Sequence, residues 1–126
     1  MSSGKVTLCL DATTQKLEAF LGGAGTPDVI VVFHEVPAQQ KNDTSEYPRA
    51  NQFTTLAGAT ETTILAAPSQ NIVRHVDSIT INNDTGGTIV VSVVTDVSAT
   101  NYLHVEQSLL DTETLLYTAD DSWRVI

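Results

Sequence analysis

Val76-Asp77-Ser78-Ile79-Thr80-Ile81-Asn82, then Asn83-Asp84-Thr85-Gly86-Gly87, then Thr88-Ile89-Val90-Val91-Ser92-Val93-Val94 is the stretch that decides the fold class. Ile79 and Ile81 alternate with Ser78, Thr80 and Asn82, the period of two that puts apolar and polar side chains on opposite faces of an extended chain. The Asn/Asp/Gly cluster that follows tolerates positive φ, so the two runs are expected to form a β-hairpin. Val90 to Val94 is apolar on both faces, which predicts cover on both sides for part of that strand.

Working toward the C-terminus, Tyr102-Leu103-His104-Val105-Glu106 resumes the alternation, with Leu103 and Val105 on one face. Thr114-Leu115-Leu116-Tyr117-Thr118 and Trp123-Arg124-Val125-Ile126 complete five strands, separated by the turn-like clusters 95–101, 111–113 and 119–122. Strands recurring about every ten residues with turn signals between them predict an all-β antiparallel sandwich or a barrel-like meander of about eight to nine short strands, not βαβ units. The expected core is Ile79, Ile81, Val91, Val93, Leu103, Val105 and Trp123. As a core plug, Trp123 would cost about 3–5 kcal/mol on truncation to Ala.

The order of these strands resembles small β-sandwich virion structural proteins of tailed bacteriophages, either head decoration (cement) proteins or tail-associated components. The resemblance rests on Ile79, Ile81 and Asn82; Thr88, Val91 and Val93; Asn101, Tyr102 and Val105; Glu113, Leu115 and Tyr117; and Trp123 with Val125. It covers the C-terminal half and is a pattern of strands and turns. It implies a non-enzymatic protein that binds the major capsid protein or other virion proteins, assembles as a homo-oligomer with a trimer favoured, and stands on the outer surface of the head. A tail or neck component is the alternative, and a carbohydrate-binding β-sandwich module a second one.

Composition bounds these readings. The 126 residues suit one domain with its own core. A formal net charge of −9, from 15 acidic against 6 scattered basic residues, argues against a nucleic-acid partner. No apolar run approaches the roughly 20 residues of a membrane-spanning helix, and the opening Met-Ser-Ser-Gly-Lys leads into a strand too short for a secretory core. No membrane partner is expected, and synthesis is expected in the host cytoplasm. Cys9 is the single cysteine, so no internal disulfide forms.

In the N-terminal half, Lys5 to Leu10 reads as a strand with Val6, Leu8 and Leu10 on one face and Cys9 on the polar one. Lys16 to Leu21 fits a strand or a helical turn, and its all-β surroundings favour the strand. Gly22-Gly23-Ala24-Gly25 lacks the Gly-Lys-Ser/Thr ending of a phosphate-binding loop and precedes Pro27, so it reads as a plain loop. Asp28 to Val36 is the most hydrophobic strand and is expected to be central and covered on both faces. Residues 37–52 form a polar segment without periodicity, expected to be an extended loop or arm. Tyr47 and Arg49 within it, with Phe53 just beyond, are the candidate partner-binding residues, being types enriched at interface anchors.

Nothing in the sequence specifies catalysis, a cofactor or a metal. His34, His75 and His104 lie in separate strands without metal-ligand spacing, and Asn82-Asn83-Asp84 lacks the downstream glutamate of a calcium loop. Asp120-Asp121 reads as turn chemistry, and no Gly-x-Ser-x-Gly elbow occurs.

Overall fold

A computed structural model describes residues 8–40 and 47–126. The first three residues of the expected strand at Lys5, with residues 41–46 of the expected arm, lie outside that range. Among the described residues the chain forms β1 (Cys9–Leu10), β2 (Gln15–Leu21), β3 (Asp28–Pro37), β4 (Arg49–Thr55), β5 (Thr62–Leu65), β6 (Ile72–Asn82), β7 (Ile89–Val97), β8 (Thr100–Leu109), β9 (Thr114–Thr118) and β10 (Ser122–Val125), with one 3-10 turn at Ala38–Gln40. Two antiparallel sheets result. One has the order β10-β9-β6-β3-β4, with β1 also paired to β6; the other has the order β5-β2-β7-β8. The architecture is therefore the sandwich of the two alternatives.

The sheets meet through the alternate residues that periodicity selected. Leu17, Ala19 and Leu21 from β2 and Val91 and Val93 from β7 face Val29 and Val31 from β3, Ile79 and Ile81 from β6, and Leu115 and Tyr117 from β9. Val105, Trp123 and Val125 pack against this core while remaining partly exposed. The large aromatic that is wholly enclosed is Tyr117, with Trp123 tilted against its ring at 5.0 Å. Trp123 thus flanks the core and does not plug it, because it sits on β10, the sheet's last strand.

Four further expectations are corrected. β6 and β7 do not form a hairpin; they lie in different sheets. The cause is Asn83, whose buried amide nitrogen reaches the carbonyls of Gly87, Leu109 and Leu110 at 2.8, 3.0 and 2.9 Å, while its Oδ1 accepts from the Thr85 amide and hydroxyl. A connection anchored in this way turns out of one sheet and into the other. The hairpins of this half are β7 with β8, through Ser98 and Ala99 at positive φ, and β9 with β10.

Leu103 is not core: it is 61% exposed. The β7–β8 ladder pairs Val93 with Val105 but Val94 with Leu103, leaving His104 as an extra residue. One inserted residue flips the alternation, so Leu103 and Val105 point to opposite faces. Next, β3 is central in its sheet but covered on one face only: Val29, Val31 and Phe33 are buried while Ile30 is exposed and Val32 half-buried. Cover on both faces occurs instead in β7, where Val91, Ser92, Val93 and Val94 are all buried. Finally, residues 37–52 are not one continuous arm. Pro37 ends β3, and Arg49 to Gln52 belong to β4, which pairs along β3 from His34↔Arg49 to Asp28↔Thr55.

Candidate binding surface

Among the described residues β4 pairs with β3 alone and forms an edge of the larger sheet. Its sequence Arg-Ala-Asn-Gln-Phe-Thr-Thr carries no apolar alternation, and no residue in it is fully buried. Strand pairing, not burial, holds it, which is why periodicity could not find its first half. An edge strand leaves a row of backbone donors and acceptors available to another chain.

Opposite residues of an antiparallel pair share a face. Phe53, 69% exposed, therefore stands beside its partner Ile30 on the outer face of the sheet. This apolar pair borders a shallow depression walled by Asp28, Thr54 and Thr55, where the Thr55 hydroxyl donates to Asp28 at 2.6 Å. At the other end of β4 the composition changes to charge. Cys9↔His75, His75↔His34 and His34↔Arg49 form one row across four strands. The two imidazoles stack with centroids 5.2 Å apart.

Asp77, left unpaired by the register shift opposite Val32 and Phe33, reaches this row. Its Oδ2 accepts from Arg49 Nε at 3.0 Å and lies 3.0 Å from His34 Nδ1. Arg49 also donates through Nη1 to the Tyr47 carbonyl at 2.8 Å. The three residues singled out as partner-binding thus divide. Arg49 and Tyr47 are brought together, and Phe53 lies four positions further along the same edge.

Thiol, imidazole and carboxylate are the types used in nucleophilic catalysis, and here Cys9 lies opposite His75 in the ladder while Asp77 lies against His34. The nearby cleft is walled by Phe33, His34, Glu35, Arg49 and Arg74 among others, and Cys9 is not part of its wall. Asp77 is engaged by Arg49, so it does not serve His34 alone. Arg74 donates to Glu35 at 2.9 Å, lies 4.8 Å above the Phe33 ring and donates to the Ala66 carbonyl, so the cleft is close to charge-neutral. Among the described residues no group of three or more potential ligands is placed to hold a metal ion. The three histidines are not brought together: His104 is on the other sheet, bonded to the Thr95 hydroxyl, and burial pushes its imidazole below the ordinary value.

The surface of the smaller sheet was not singled out by the sequence. Lys16, Glu18, Val94 and Asp96 meet there, although Lys16-Leu17-Glu18 already placed two opposite charges on one strand face.

No family model, curated protein or solved structure matches this chain.

Proposed function

We propose that this chain is a non-enzymatic structural protein that works by docking, and specifically a capsid decoration protein of a tailed bacteriophage head. It binds the major capsid protein on the outer surface of the head, as a small homo-oligomer for which a trimer is the favoured form. The supporting observation is the β4 edge, where Phe53 and Ile30 stand exposed at one end and Arg49 at the other. An aromatic and an arginine on one edge strand, whose outer side is open to pairing, are residue types enriched at interface hot spots. Binding of many copies to an assembled lattice stabilises that lattice by mass action. A carbohydrate-binding reading is less favoured, since the exposed aromatics Phe53 and Tyr102 lie on different sheets and make no shared platform.

The test is light scattering of the protein alone, followed by co-sedimentation with purified heads stripped of minor proteins, for the wild type and Phe53→Ser. A trimer that sediments with heads, and a Phe53→Ser protein that stays folded but remains in the supernatant, are expected. A wild-type protein indifferent to heads overturns the head assignment, and a ring of six or twelve moves it to the neck or tail.

A further inference from the structure

On the outer face of the four-stranded sheet, Glu18 is only 6% exposed. Lys16 Nζ lies 3.4 Å from Glu18 Oε2 and 3.7 Å from Asp96 Oδ2, so one ammonium bridges two carboxylates. The other two oxygens, Glu18 Oε1 and Asp96 Oδ1, are buried without a donor, and the further group in hydrogen-bonding reach of the Glu18 carboxyl is another carboxyl, that of Glu61. A buried carboxylate oxygen without a donor carries a desolvation cost that a donor would relieve.

A third carboxylate stands over this pair. Glu61, next to β5 at one edge of the sheet, accepts through Oε2 from Asn101 Nδ2 at 3.2 Å, and Asn101 belongs to β8 at the opposite edge. This exposed contact spans β2 and β7, and the Glu61 carboxyl lies against that of Glu18. Beside it, Val94 is paired with both Glu18 and the exposed Leu103. Two carboxylates share one ammonium, each has a buried oxygen without a donor, a third carboxylate stands beside them, and the exposed Leu103 lies alongside.

We infer that this face receives an arginine side chain of a protein partner, which enters where Glu61 meets Asn101 and donates to Glu18 Oε1 and Asp96 Oδ1. A guanidinium supplies several N–H groups in a planar fork, so it bonds two carboxylates without displacing Lys16. Its aliphatic stem lies along Leu103 and Val94. The Glu61–Asn101 contact is solvent-exposed and opens at small cost. The inference rests on the docking reading for the class of partner and adds a second surface with its own chemistry.

The test is an NMR titration of the isotope-labelled protein with N-acetylarginine amide, using N-acetylcitrulline amide as the uncharged isostere. Saturable shifts at the amides of Glu18, Val94 and Leu103 are expected with the arginine compound, with millimolar affinity and none with citrulline. Glu18→Gln and Asp96→Asn, each verified as folded by its own spectrum, are expected to weaken binding about tenfold; the exposed Leu103→Ser provides a third variant that leaves the core intact. No saturation, equal response to citrulline, or unchanged binding in both carboxylate variants overturns the inference. Arginine binding by a protein that ignores phage heads overturns the head assignment and leaves this site standing. Head binding without an arginine response does the reverse.

Discussion

Asn83 donates its buried side-chain amide to the carbonyl of Leu109 at 3.0 Å, and this bond joins the two places where the C-terminal half crosses between sheets. One crossing runs from β6 to β7 and contains Asn83; the other runs from β8 to β9 and begins at Leu109. The backbone makes the same link, with Asn83 donating to Glu113 and accepting from Thr112. Asn83→Ala leaves the carbonyls of Gly87, Leu109 and Leu110 and the Thr85 amide without this partner, so a loss of about 2–4 kcal/mol is expected in urea unfolding. Asn83→Asp is expected to be no better, since a carboxylate would face the carbonyls of Gly87, Leu109 and Leu110. A change within about 0.5 kcal/mol for Asn83→Ala would contradict the role of this amide.

The inserted His104 makes a sharp distinction between two residues that are two apart in sequence. Leu103→Lys is expected to change stability by no more than about 0.5 kcal/mol, as for other exposed positions. Val105→Lys, which places an amine against the core, is expected to cost about 2 kcal/mol or more. Equal effects at both positions in thermal or denaturant unfolding would place them on one face and remove the bulge.

Those two cases mark the boundary of what the sequence contains. Period-two alternation located all five strands from β6 to β10, because burial of one face leaves its imprint on every second residue. It carried no information about which strand pairs with which, so β6 and β7 read as a hairpin until the bonds of Asn83 were seen. Nor does alternation reveal an extra residue: Leu103 and Val105 look equivalent until the ladder is known. Phe53 and Arg49 were legible as residue types suited to an interface. Their arrangement along one edge, and the meeting of Arg49 with Asp77 and His34, depend on a register between strands distant in sequence.

At the β9–β10 hairpin the expected costs are redistributed between the two aromatics. Tyr117 is fully buried and its hydroxyl accepts from the Leu8 amide at 2.8 Å, tying the N-terminal segment to β9. Tyr117→Phe leaves that amide without its acceptor and is expected to cost about 1–2 kcal/mol. Tyr117→Ala should cost about 3–5 kcal/mol, whereas Trp123→Ala, which removes a partly exposed ring, should cost about 1.5–3 kcal/mol. Denaturant unfolding of the three variants checks the order, and a Trp123→Ala loss exceeding that of Tyr117→Ala would reverse the assignment of the core aromatic.

Burial holds the Glu18 carboxyl above its ordinary value of 4.5, with Glu61 and Asp96 adding to the effect and Lys16 opposing it. The folded state therefore keeps this proton at pH values where the unfolded chain has released it. Below the ordinary value both states are protonated and the group imposes no penalty. As the pH rises through the interval between that value and the raised one, the favourable contribution is lost. Gln cannot titrate, so Glu18→Gln is expected to gain stability relative to the wild type as the pH is raised from about 4 to about 7. Paired urea titrations at both pH values measure the difference directly. A wild type that gains on the variant over the same interval would show that Lys16 overcomes desolvation and holds the carboxylate charged.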